Sequence, residues 1–360
     1  MKISHLFIGT ALLAVFGLGS CTTDFELNAP YEAVPVVYGF VEPLSDTQYV
    51  KINKSFLGDG NNNSYAPIND STEFTSVGGN IDVVRSGTVV STFPLQEKYV
   101  SNLDDGIFYT DSQKVYFWVP DTIYEDATYK LDIDINEGQK EVTAETEVVG
   151  FCAFKQTFKN KMFAGAAFAN TTAPGQNVYT DLGIEWSVGN NGKRYQIVMV
   201  FNYEEHRVNA DIFNRSIQTS LGTQVAENNT SDFFYSYNGE SFFAFVESRL
   251  KNDPEEALIE KRVPIGLEFH IVMADENLHT YMEVNEPASG IVSERPVYTN
   301  INGGIGLFAS RNTTIFSEIN TNNDPIQLST NTKRELVYGP YTSAYKFCIP
   351  NASDQLITCP

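Results

Sequence analysis

Leu182-Gly183-Ile184-Glu185-Trp186-Ser187-Val188-Gly189-Asn190-Asn191-Gly192-Lys193-Arg194-Tyr195-Gln196-Ile197-Val198-Met199-Val200-Phe201-Asn202-Tyr203 carries the strongest pattern in the chain. Leu182, Ile184, Trp186 and Val188 take every second position, with Gly183, Glu185 and Ser187 between them. Gly189-Asn190-Asn191-Gly192 follows, and then Tyr195, Ile197, Met199, Phe201 and Tyr203 alternate in turn. A period of two puts alternate side chains on one face of a strand. Asn and Gly accept the positive φ of a tight turn. The spacing predicts an antiparallel hairpin, and with it a half-buried β-sheet.

The pattern repeats in both directions. Towards the N-terminus, residues 34–41, 47–56, 81–85, 114–119 and 129–135 read as strands. In the last, Leu131, Ile133 and Ile135 alternate with Asp132, Asp134 and Asn136, a strand with one wet face. The acids there superficially resemble a calcium loop, but the interleaved isoleucines make it a strand. Asn136-Glu137-Gly138-Gln139 predicts a turn, and residues 141–149 return. About seven short strands in this region suggest an immunoglobulin-like β-sandwich over residues 34–150, without the antibody cysteine pair. Towards the C-terminus, residues 264–274 and 303–310 continue the theme. Asp253-Pro254 with Glu255 and Glu256 predicts one helix start. Asp275 predicts another, with Leu278, Tyr281 and Met282 on one face. The fold class is therefore all-β with minor helices: the sandwich, then a second antiparallel β domain over residues 151–360.

The N-terminus has a different character. Lys2 precedes an uncharged, apolar run at residues 6–18, too short to span a bilayer and shaped as an export signal. It ends in Leu18-Gly19-Ser20-Cys21, which resembles the bacterial lipobox. That resemblance implies removal of residues 1–20 and acylation of Cys21 with palmitate-type chains. Each buried methylene adds about 0.8 kcal/mol, so two or three chains anchor durably. Residues 21–33 read as a tether, with Asp24 and Glu26 placed like a surface-export signal. Past residue 20 the chain keeps 23 basic and 45 acidic residues, a net charge of −22. Such a chain does not bind nucleic acid by neutralising phosphates. Aromatics at 13% against charged residues at 19% mark a folded, β-rich exported protein.

Three further cysteines, Cys152, Cys348 and Cys359, enter an oxidising setting. A Cys348–Cys359 bridge around Pro350 is favoured, with Cys152–Cys348 as its rival. His206, His270 and His279 stand apart, and no HExxH, GxSxG or phosphate loop accompanies them. A catalytic residue set is not expected. Asp59, Asn61, Asn63 and Asp70 are the best calcium candidates, although a solvated turn explains the same loop. Phe233, Phe234, Tyr235 and Tyr237, followed by Phe242, Phe243 and Phe245, make either a partner- or glycan-gripping platform or part of the core.

Pro296-Val297-Tyr298-Thr299-Asn300-Ile301-Asn302-Gly303-Gly304-Ile305-Gly306-Leu307-Phe308 follows the predicted helix at Asp275. With the lipobox and the sandwich, this order of helix, proline, Asn-Ile and a Gly-Gly-hydrophobic-Gly-hydrophobic-Phe strand resembles a family of Bacteroidota outer-membrane surface lipoproteins of the domain-of-unknown-function type, DUF4249-like. The resemblance implies a setting like that of lipoproteins accompanying TonB-dependent receptors, and it carries over no catalytic residue. The functional expectation is a non-enzymatic accessory or binding subunit of an outer-membrane barrel complex, a TonB-dependent transporter or another envelope machine. An independent glycan- or ligand-binding lipoprotein is the alternative, and a hydrolase built on two carboxylates stands third.

Overall fold

The computed structural model describes residues 32–56, 68–101, 112–136, 138–209, 211–286, 297–319 and 324–359. Cys21, Asp59, Asn61, Asn63 and Pro296 lie outside them. Residues Val34–Pro360 form one unit, mostly of antiparallel strands with few helices.

The N-terminal part is a two-layer sandwich. One layer orders β1 (Pro35–Val41), β2 (Gln48–Lys54), β6 (Ser112–Trp118) and β5 (Gln96–Ser101); the other orders β4 (Thr88–Pro94), β3 (Val77–Arg85), β7 (Thr128–Ile135) and β8 (Lys140–Glu147). Leu131, Ile133 and Ile135 are buried while Asp132 and Asp134 face out, so those acids belong to a strand. β7 and β8 pair from Ile135↔Lys140 onward, with Asn136 at φ 52° and Gly138 at φ 87° in the turn. Pattern reading passes over β4 and β5, which bury almost nothing and so show no apolar alternation. A short helix, α1 (Asn69–Thr72), lies between β2 and β3 and contains Asp70.

The rest of the chain builds a second core. β9 (Ala153–Phe154), β10 (Leu182–Ser187) and β13 (Asp232–Tyr237) form a small sheet. β11 (Arg194–Arg207), β12 (Ile212–Val225), β14 (Ile259–Ala274) and β15 (Ile305–Phe316) extend the first layer of the sandwich through β1 into one eight-stranded sheet of order β12-β11-β14-β15-β1-β2-β6-β5. α2 (Gln156–Phe163) and α3 (Gly239–Leu250) set rings edge-on against the sheet, Phe158 on Phe269 at 5.3 Å and Phe242 on Phe201 at 5.5 Å. Asn238 caps α3 by accepting from Ser241 N at 3.1 Å. α4 (Glu276–Asn285) and α5 (Thr330–Tyr338) complete the helices. The helix expected from Asp253-Pro254 is a single 3-10 turn, Glu256–Leu258. α4 starts at the expected cap, with Leu278 N donating to Asp275 Oδ1 at 2.7 Å. Its buried residue is His279, whereas Met282 is exposed.

The central hairpin reading needs correction. β10 pairs with β13 and β9, while β11 pairs with β12 and β14. Gly189-Asn190-Asn191-Gly192 therefore carries the chain from one sheet to the other. Gly189 is required there, because a Cβ would come within 2.6 Å of Gly150 O. Tyr195 closes the turn: its hydroxyl accepts from Gly189 N at 3.1 Å and donates to Gly192 O at 3.2 Å.

The regions before and after residue 150 share a strand. Residues 305–310 of β15 run parallel to β1, with Val36↔Ile305 and Val41↔Ser310 in register. Residues 311–316 then pair antiparallel with β14. At the change of partner, buried side chains replace ladder bonds. Ser310 Oγ donates to Val41 O at 2.9 Å and accepts from Val149 N at 3.0 Å. Asn312 Nδ2 donates to Val149 O at 2.9 Å.

Cys348 and Cys359 are bonded, with Cα atoms 4.8 Å apart, and Cys152 is a buried free thiol. Burial raises the Cys152 pKa against the pull of its Thr314 hydrogen bond. Closing an 11-residue loop contributes about 3 kcal/mol in the chain-entropy picture. The Cys348→Ser/Cys359→Ser protein is expected to lose about that amount in urea denaturation, and a labelling reagent is expected to reach Cys152 only on unfolding.

Candidate functional site

A concavity of about 930 Å³ lies where the sandwich meets the second core. One wall comes from the β3–β4 turn at Ser86 and Gly87, with Thr128 and Lys130 of β7 and Glu145, Thr146 and Glu147 of β8. The other comes from the Gly189–Gly192 turn, Lys193 and residues 226–230 after β12. Asp275, Glu276 and Asn277 at the start of α4, and Asn300, complete it.

Its electrostatics are acidic. Asp126, Glu145, Glu147, Glu227, Asp275 and Glu276 line it against Lys130 and Lys193. Both lysines are engaged: Lys130 with Glu145 at 3.2 Å and Lys193 with Glu276 at 3.4 Å. A hydrogen bond from Arg85, at 2.6 Å, holds the Asp126 pKa below its ordinary value. Among the described residues, the lining contains no aromatic ring.

Asp275 ties three elements together. Its Oδ2 accepts from Thr146 Oγ1 at 2.6 Å and from Ser310 N at 2.9 Å, and its Oδ1 caps α4. Burial raises its pKa, and these hydrogen bonds only partly offset that. A carboxyl raised by folding favours the protonated form in the native state. Its contribution to stability is therefore full below the ordinary carboxylate range and falls as pH climbs to the folded pKa. Carboxyl-carbon NMR titration is expected to place Asp275 above the ordinary aspartate value and Asp126 below it.

The residues singled out in the sequence are not gathered here. Phe233 packs on Trp186 at 5.3 Å and on Tyr195 at 5.0 Å. Tyr237 is buried on Phe168, and the Tyr235 hydroxyl donates to Leu221 O. Only Phe234 is exposed, lying over Gly183, where a Cβ would meet its ring at 2.7 Å. Three rings thus belong to the core and one to the surface. His206 contacts Glu204 and His270 contacts Glu268, each at 2.8 Å on its own strand. His279 is buried 3.5 Å from Glu283. Among the described residues, no three of His, Cys, Asp and Glu gather closely enough to hold a metal ion, and no helix is long and apolar enough to cross a membrane. The groove itself was missed, since its residues come from separate turns and strand ends with no motif among them.

No family model matches the chain, and no curated protein is significantly similar to it. Among solved structures, the C-terminal globular domain of oligosaccharyltransferase from Pyrococcus abyssi is similar over 68% of this chain and 49% of that one. Identity is 12% and the TM-score 0.22. The chain thus spans about half that domain's length, and a superposition so loose carries no conclusion about function.

Proposed function

We propose that the protein is a lipid-anchored surface lipoprotein of a Bacteroidota-like outer membrane, serving as a non-enzymatic accessory or binding subunit of an outer-membrane barrel complex. The observation that carries this is Leu18-Gly19-Ser20-Cys21, set directly behind the apolar run at residues 6–18. The resemblance of Pro296 to Phe308, behind the helix at Asp275, to the DUF4249-like lipoproteins points the same way, and a TonB-dependent transporter is the barrel it favours. The alternative of an independent ligand-binding lipoprotein draws on the acidic groove. The carboxylates that line it, with no aromatic ring among the described lining residues, favour a cationic or polar ligand within that alternative. The carboxylate hydrolase ranks last; the most buried carboxylate of the groove, Asp275, has both oxygens engaged in holding the fold.

The test is protease shaving of intact cells beside a mild-detergent pull-down from native outer membranes. Shaving, with a stoichiometric barrel in the pull-down, upholds the proposal. Shaving without a barrel shifts the role to independent binding, and resistance to shaving removes the surface placement. Cys21→Ala is expected to abolish labelling by a clickable palmitate analogue and to release the protein from the membrane.

A further inference from the structure

β2 buries Val50 and Ile52 in the sandwich core, so Lys51 and Asn53 project from the opposite, outer face of its sheet. Beside them stand Val36 and Tyr38 of β1 and Gln113 of β6, the strands that pair with β2 on either side. α1 is fastened beside this face. Asn69 Nδ2 donates to Ser112 O at 3.3 Å, and Lys114 N donates to Glu73 Oε1 at 3.0 Å just past the helix. The arrangement forms a second cavity, of about 370 Å³, at the small end of the range for ligand pockets. Among the described residues, it shares no lining with the acidic groove.

Its polar groups have unmet demands. Lys51 Nζ carries three N–H donors. One goes to Gln113 Oε1 at 2.9 Å and one to Lys114 O at 3.0 Å, both uncharged acceptors. Neither Lys51 nor Lys54 has an ion-pair partner among the described residues. Glu73 is the single carboxylate among the described lining residues, against these two lysines. Burial pulls the Lys51 pKa down, and the Glu73 charge offsets only part of that. Asn53 also lines the cavity, and its Oδ1 is buried with no hydrogen-bond partner. A turn of the amide about its last side-chain bond brings either end to the cavity. Buried polar groups are normally paired, and an unmet one costs about 1–3 kcal/mol. Against these groups stand the apolar surfaces of Val36, the Tyr38 ring and Phe56. On a chain of net charge −21, this is a small basic pocket with an apolar wall.

We infer that this cavity binds a small amphipathic carboxylate that carries an amide or hydroxyl beside its acid group. The carboxylate accepts the third Lys51 N–H, with Lys54 as a second positive charge in the lining. The adjacent amide or hydroxyl pairs with the Asn53 amide. The apolar part lies against Val36, Tyr38 and Phe56. A plain fatty acid leaves Asn53 unpaired, and a neutral sugar leaves both lysines without a counter-charge. The inference goes beyond the accessory-subunit reading and does not depend on it.

The probes are N-acetylphenylalanine, its carboxamide and hydrocinnamate, titrated calorimetrically into the full-length protein in detergent, with empty micelles as the blank. N-acetylphenylalanine is expected to bind saturably at one site. The carboxamide lacks the charge, and hydrocinnamate lacks the amide. Each is expected to bind about tenfold more weakly, the scale of one hydrogen bond to a charged or buried group. Lys51→Met is expected to erase the preference over the carboxamide alone, and Asn53→Leu the preference over hydrocinnamate alone. A merely structural role for either residue would weaken all three probes together, and that result overturns the proposal. So does the absence of saturable binding, preferences that survive both substitutions, or glucose bound in place of the acids. Lys51→Gln and Asn53→Ala take over should the first pair fail to fold.

Discussion

Gly306→Ala is expected to prevent the native structure from assembling. Gly306 sits at φ 125°, a region closed to residues with a Cβ. It also pairs with Val37, and an added Cβ would lie 1.9 Å from Val37 O and 2.8 Å from Val37 C. Neither atom can move without breaking the β1–β15 register, so strain and lost pairing add. The expected loss is about 5 kcal/mol or more, at the extreme of single substitutions. Gly78→Ala is the control: nothing lies within 4 Å of its added Cβ, and the change is expected to be neutral within about 1 kcal/mol. Circular dichroism melts of both variants give the answer. A Gly306→Ala protein melting near the wild type would refute this strand pairing.

Arg262→Met is the second large effect, at about 3–5 kcal/mol. Arg262 is fully buried. Its guanidinium contacts Glu205 at 3.4 Å, Asp253 at 3.1 Å and Glu256 at 2.7 Å, and donates to Tyr345 O at 3.0 Å. Burial pulls its pKa down, but the Glu256 hydrogen bond and the charges of Glu256 and Glu205 outweigh it. It stays charged at every accessible pH. Removing it leaves Glu205, almost wholly buried, with Arg215 as its remaining ion-pair partner. Most of the penalty comes from the three acids that lose their shared cation, Glu205 being the most buried of them, so Arg262→Met/Glu205→Gln is expected to recover part of it in a double-mutant cycle by urea denaturation. A single-variant loss below about 1 kcal/mol would show the cluster to be solvated rather than buried.

Alternation told correctly which residues of β7, β10 and β11 are buried, because one dry face leaves a period of two. It was silent on neighbours. β11 went to β12 and β14 rather than to β10, and β12 escaped notice because it is half-exposed and rich in Ser, Thr and Gln. The cap at Asp275 was readable from local chemistry. Its bonds to Thr146 and Ser310 join residues 129 and 35 positions away, beyond the reach of any local pattern. The aromatic run was ambiguous for a related reason: composition does not say that Phe233 and Tyr237 point inward while Phe234 points out.

The partner change in β15 also constrains the order of folding. β1 waits for residues 305–310, some 270 positions downstream, before its second edge is satisfied. Contacts this distant in sequence make for slow folding, because a long loop must close before they form. The N-terminal sandwich therefore cannot mature until residues 305–310 have joined β1. Products cut short of residue 305 are expected to persist as open-edged, aggregation-prone species that depend on a holding chaperone, whereas chains that retain β15 can still close β1.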